Sequence, residues 1–225
     1  MALADFYGLV DDLVRDSDQV ISPTARDRAL DAAVQRFSID RPRELVEDVT
    51  SAGGVFLPLP GGWQIGVSKL LLLEVDPSSN VLNTIPGAQC AIYNHPVDPA
   101  RIRLPDGSAQ VAGAIIRCRY TATHALTEVL DTIPANARHA VSAYAASVCC
   151  GELASHYAAD SDATIQADSV DHRTKSQTWA ARASALRTEY SKLIGIDSAP
   201  QLAPMSGAVK FTQRTRFPRQ RQGLL

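Results

Sequence analysis

The period of the apolar residues changes twice along this chain, and that double change constrains the fold more than any motif in it. Leu3, Phe6, Tyr7, Val10, Leu13 and Val14 recur at helical spacing, the mark of an amphipathic helix with one face turned to a core. Ser22-Pro23 then supplies an N-cap and a proline for the first helical position of a second helix. Leu30, Ala33, Val34 and Phe37 share its apolar face, and Pro42 closes it. A link of about seven residues favours antiparallel packing of the two.

From Arg43 to Thr123 the pattern is that of strands. Leu45 to Val49, Ser51-Ala52-Gly53-Gly54 and Val55 to Leu59 read as a hairpin around a glycine turn. Further strands are expected at Ile65 to Val75, Gln89 to Tyr93, Arg101 to Leu104 and Ala112 to Thr121, the last two separated by the turn Pro105-Asp106-Gly107. Prolines at 58, 60, 77, 86, 96, 99 and 105 keep them short. After Pro134 the helical period returns. Val141, Tyr144, Ala145, Val148 and Leu153 form a stripe flanked by Ala140, Ala146, Ser147, Cys149 and Gly151, small residues that let a neighbouring helix approach closely. A polar link from Asp160 to Asp171 precedes a last helix with Trp179, Ala183, Leu186, Tyr190 and Ile194, which Gly195 caps.

These readings give an α+β chain. A mainly helical bundle, with two N-terminal helices (1–42) and two C-terminal helices (134–195), carries an inserted small antiparallel β module (43–124). Residues 1–195 form a body, and 196–225 an extended basic C-terminal arm.

The arm differs from the body in charge. From Ser198 to Leu225 there is no acidic residue, while Lys210, Arg214, Arg216, Arg219 and Arg221 give +5. The other 197 residues hold 17 basic and 24 acidic side chains, a balance of −7. Rich in Pro, Gln, Ser and Gly, the arm cannot bury enough apolar surface to fold alone, and is expected to be disordered or ordered only against a partner. Phe211, Phe217 and the terminal Leu224-Leu225 are apolar anchors that a merely solvated tail seldom keeps. Lys210, Phe211, Arg214, Arg216, Phe217, Arg219, Arg221 and Leu225 are therefore the candidate partner-binding residues. Basic residues interleaved with aromatics also suit single-stranded nucleic acid, so a nucleic-acid-binding module is the alternative reading; docking on an acidic protein surface or sheet edge is the first.

Other chemistry finds less support. Cys90, His95, Cys118 and His124 lack the short paired spacings of structural zinc, and no metal or other cofactor is expected. Cys150 and His156, six apart on one helix, do not share a face. There is no nucleophile elbow of the G-x-S-x-G type and no phosphate-binding glycine loop. Asp168, Asp171 and His172 sit near a helix start, where carboxylates meet the helix dipole without any catalytic role. A hydrolase built on His124 or His172 is the remaining enzymatic reading, and no catalytic residues are assigned. The run Leu70 to Leu73 is too short to span a bilayer. Without a leader-like start, reduced cysteines in a cytosolic setting are expected.

Four stretches carry a family likeness: the helical opening, Gly53-Gly54-Val55-Phe56-Leu57-Pro58-Leu59-Pro60-Gly61-Gly62-Trp63, Arg119-Tyr120-Thr121-Ala122-Thr123-His124 ahead of Thr132-Ile133-Pro134, and Gln166-Ala167-Asp168-Ser169-Val170-Asp171-His172-Arg173-Thr174-Lys175. Over residues 1–195 the chain resembles the head-to-tail adaptor (connector) proteins of tailed bacteriophages and prophages. The resemblance implies a structural virion protein with no catalytic site, made in the host bacterial cytoplasm and placed in the neck of the particle. Copies would form a homo-oligomeric ring, typically of twelve, below the portal protein, with the arm reaching the portal and the next neck or tail protein beneath. Phage DNA would pass through the channel without specific binding. A different neck or tail-completion protein is the nearest alternative.

Overall fold

A computed structural model describes residues 2–78, 83–93, 99–158 and 175–196. Two layers result, one helical and one of antiparallel strands. The helices are α1 (Ala2–Val14), α2 (Pro23–Asp40), α3 (Arg138–Ala158) and α4 (Lys175–Ile194); the strands are β1 (Arg43–Thr50), β2 (Phe56–Pro58), β3 (Leu70–Val75), β4 (Asn83–Pro86), β5 (Ala91–Tyr93), β6 (Arg101–Arg103) and β7 (Ile115–Ala122). The expected α+β order, helices on both sides of an inserted β module, is the observed one. The expected arm lies outside the described residues.

Local chemistry sets the helix ends. Ser22 Oγ accepts the Ala25 N–H at 3.2 Å, and Pro23 opens α2. At the other end of the bundle Gly195 adopts φ 72°, a left-handed conformation that closes α4, with the Ile196 N–H reaching back to the Ser191 carbonyl at 2.9 Å. α1 and α2 meet through side chains, with the Tyr7 hydroxyl donating to Asp27 at 2.6 Å and Arg26 pairing with Asp11 at 2.6 Å, while each turns its apolar face chiefly to α3. The reason is the composition of α3. Ala140, Ala143, Ala145, Ala146, Cys149 and Cys150 are almost wholly buried, and their small side chains admit neighbours on several sides. Phe6, Val10 and Val14 of α1, Leu30, Ala33 and Phe37 of α2, and Leu186 and Tyr190 of α4 complete that core.

The β module has its own core of Leu57, Leu73, Ile102, Leu104, Ile116, Cys118 and Tyr120. One sheet runs in the order β1-β7-β3-β4, the other β2-β6-β5. The hairpin expected between 45–49 and 55–59 is not formed. β1 pairs instead with β7, from Arg43↔Ala122 to Thr50↔Ile115, and β2 pairs with β6 in the second sheet. Side-chain chemistry explains the choice. Leu45 and Val49 of β1 meet Tyr120 and Ile116 on the inner face, while Glu44 and Asp48 reach Arg119 and Arg117 on the outer one. Gly53 and Gly54, at φ 97° and 86°, turn the chain out of the first sheet toward the second.

Other boundaries shift as well. Residues 65–69, expected as strand, form a turn at 65–67 and irregular chain after it, leaving Ile65 and Val67 exposed. Asn83–Pro86 adds a strand that periodicity does not mark. The strand expected from Gln89 begins at Ala91, after a 3-10 turn over Gly87–Gln89. Gly87 is required there, because a Cβ would collide with the Leu70 carbonyl.

Candidate functional site

The eight arm residues singled out above, Lys210, Phe211, Arg214, Arg216, Phe217, Arg219, Arg221 and Leu225, lie outside the described residues, as do His95, Asp168, Asp171 and His172. The described chain shows what the arm is rooted in and what surfaces stand beside it.

The root is a junction of all three parts of the body. Arg41, just past α2, donates from Nη2 to the Ile194 carbonyl at the end of α4 at 2.7 Å, a cation at the negative end of that helix. Its own carbonyl lies 3.0 Å from Nε2 of His124, which follows β7. His124 Nδ1 is 2.8 Å from the Thr132 carbonyl, and the His124 N–H donates to Ser38 Oγ on α2 at 2.9 Å. The ring packs 4.9 Å from that of Phe37. His124 thus ties helix, strand and linker together. With 8% exposure and both ring nitrogens against carbonyls, it is neither a free general base nor a zinc ligand.

The second anchor is Glu47 on β1. Its carboxylate accepts the Gly61 N–H at 2.7 Å, the Gly62 N–H at 3.2 Å and the Tyr120 hydroxyl at 2.9 Å. The backbone hydrogen bond from Gly61, joined by those of Gly62 and Tyr120, holds its pKa below the ordinary glutamate value. Burial first, and then the bond to Glu47, pushes Tyr120 up to about 12. Trp63 stacks at a tilt on Tyr120, centroids 5.6 Å apart. The Pro-Gly-Gly-Trp segment of the family-like motif is therefore pinned to the sheet by a carboxylate 14 positions upstream. Sequence reasoning missed Glu47, since no local spacing links it to Gly61.

The outer face of the first sheet is a ladder of charges. Arg117 grips Asp48 with two bonds, at 2.9 and 3.1 Å, and stands 3.9 Å from Glu74; Arg119 grips Glu44. The Arg117 hydrogen bond holds the Asp48 carboxyl below its usual range. Between these pairs Val46 is 59% exposed.

A cleft of about 880 Å³ opens beside the α1–α2 turn, lined by Val10, Asp11, Arg15, Asp16, Arg26 and Cys149 among others. Its polar groups serve the fold: Arg26 pairs with Asp11 at 2.6 Å, and Asp16 accepts the Ile21 N–H at 2.8 Å. The thiols are not poised for chemistry either. Burial pushes Cys118 and Cys149 up to about 12 and Cys150 up to about 11. No three His, Cys, Asp or Glu side chains gather as metal ligands among the described residues. No helix among them is long and apolar enough to cross a membrane.

No protein-family model matches the chain, and no curated protein matches it. Among solved structures the chain is similar to one described as the neck of an empty GTA particle computed with C6 symmetry. The two are 15% identical, with a TM-score of 0.26, over 83% of this chain and 89% of the other.

Proposed function

We propose that this chain is a structural, non-enzymatic neck protein of a tailed phage or phage-like particle, an adaptor that forms a ring below the portal and joins the DNA-filled head to the tail. The observation that carries the reading is the division of charge. A body of −7 bears an arm of +5, and the arm leaves from a braced point, the end of α4 held by Arg41. The sequence likeness to head-to-tail adaptors and the helical body with an inserted β module support the same reading. Ring contacts fall to the helix flanks. The arm orders on the portal, with Phe211, Phe217 and Leu225 as apolar anchors and Arg214, Arg216 and Arg219 facing acidic side chains. Many copies in one ring raise the effective concentration of arms and multiply weak individual attachments. A net acidic body suits a channel through which DNA must slide, because carboxylates repel phosphates.

The test is a phage carrying a deletion of residues 206–225. The truncated protein should fold but be missing from purified heads by mass spectrometry, and its normal incorporation would refute the reading. Salt-dependent DNA binding lost with the same deletion would point to the nucleic-acid module instead.

A further inference from the structure

We propose that before the portal is met, residues 209–217 of the arm lie on their own body as an added strand along the free edge of β1. The inference rests on the adaptor reading and names the arm's resting place.

Four observations converge on it. First, β1 is eight residues long and stands at the end of its sheet, paired among the described residues only with β7. Residues 43–50 make no backbone hydrogen bond outside that pairing among the described residues. A long open edge of this kind is a template for another strand. Second, the arm contains one segment with strand periodicity. Val209, Phe211, Gln213, Thr215 and Phe217 alternate with Lys210, Thr212, Arg214 and Arg216, and Pro218 stops the run. These nine residues are one more than the eight of β1.

Third, charge selects the occupant. β1 carries Glu44, Glu47 and Asp48 against Arg43, so a second β1 laid beside it would set acid against acid. The arm segment carries three basic residues and no acidic one. Lys210 and Arg214 are four apart, as are Glu44 and Asp48, so one face of the added strand can set cations beside both carboxylates. Each of these is half exposed; Glu44 is held by Arg119 through Oε2 alone, which leaves Oε1 to spare, while both oxygens of Asp48 are bonded to Arg117. The alternate face, with Val209, Phe211 and Phe217, then covers the side of β1 that bears Leu45 and Val49.

Fourth, the chain leaves the body at the right place. Ile194 is hydrogen-bonded to Arg41, two residues before β1 begins. Residues 197–208 span up to ~40 Å when extended, and β1 is ~26 Å long, so the connector lets the strand run in either direction. Tethering makes the docking intramolecular, and favours the chain's own arm over a neighbour's at low concentration. The docked strand shields the edge from indiscriminate pairing, and the portal competes for the same residues when the ring assembles.

Amide hydrogen exchange on the isolated full-length protein, at several dilutions and with no portal present, tests the proposal apart from head attachment. Residues 209–217 should exchange on the order of 100-fold more slowly than an unstructured chain, in an alternating pattern. Thr212→Pro should abolish that protection and also expose β1 edge amides, while α3 stays protected. Exchange of 209–217 at unstructured rates overturns the proposal, as does protection that survives Thr212→Pro. Protection that grows with protein concentration assigns the edge to another copy and overturns the seating on its own body.

Discussion

In the helical layer large side chains such as Phe6 and Phe37 close on a run of small ones, whereas the β module is filled almost wholly by large ones. Ala140, Ala143, Ala145, Ala146, Cys149 and Cys150 of α3 are at most 1% exposed, and three helices close on them. The β module is filled by Leu57, Leu73, Ile102, Leu104, Ile116 and Tyr120 instead, side chains that reach across the space between two short sheets. Polar anchoring differs too. The helices are tied at their ends, by Ser22, Gly195 and the Arg41–His124 junction, while the strands are tied along their faces, by Glu47 within and the arginine ladder outside. The small-residue positions of α3 have no room to grow, and a small β core made of large residues has none to lose.

The largest expected effect comes from hollowing the β core. Tyr120→Ala removes a ring that is 1% exposed, its contact with Trp63 and its bond to Glu47. It should cost about 3–5 kcal/mol by the usual aromatic-to-alanine range, read as a fall in the urea midpoint. Tyr120→Phe should cost far less, since it keeps the packing. Equal losses from the two would mean that the hydroxyl, and not the ring, holds the module.

Overpacking the helical core comes next. Ala146→Leu inserts three carbons where α3 is fully buried and should destabilise by about 1–3 kcal/mol, although leucine is itself a good helix former. A neutral or stabilising result would show slack between α3 and its neighbours and remove half of the contrast.

The contrast was partly legible in the sequence. The stripes Phe6, Val10, Val14 and Leu30, Ala33, Phe37, the Ser22-Pro23 start and the small residues of α3 all lie where their spacing puts them, because helices are set by neighbours three and four residues away. The β module was legible as a module but not as a topology. β1 finds its partner some 70 residues on, and the pairing is chosen by Leu45 against Tyr120 and by carboxylates against Arg117 and Arg119, none of which is a local signal. His124 was visible as a candidate, but a histidine that braces two carbonyls looks the same in sequence as one that does chemistry.

The Glu47 anchor should show itself through pH. Its carboxyl is held below the ordinary glutamate value by the Gly61 and Gly62 amides and the Tyr120 hydroxyl. The stability it adds is therefore in place above its unfolded value near 4.5 and is lost as pH falls through the lower folded one. Asp48 behaves in the same sense through Arg117, so the acid limb has more than one source. Glu47→Gln should lower stability near neutral pH by on the order of 1 kcal/mol and flatten the loss below about pH 4.5. An unchanged acid limb would take Glu47 out of the account of how the Pro-Gly-Gly-Trp segment is held.

The smallest effect belongs to the outer ladder, and it decides whether charge or core holds the sheet. Glu44 and Arg119 are each half exposed, so water screens their attraction and both side chains give up rotamer freedom to make it. A double-mutant cycle with Glu44→Ala and Arg119→Ala should return a coupling of about 0.2–1 kcal/mol. On the order of 1 M salt should shrink it, because the screening length there is ~3 Å. A salt-insensitive coupling of several kcal/mol would invert the comparison, for the β module would then be held from its outer face and its apolar core would be secondary. The cycle is best run on a chain ending at Ala208 as well as on the full protein. If the arm's cations sit beside Glu44 and Asp48, Glu44→Ala should cost more in the full chain than in the shortened one, and equal costs would show the ladder working alone.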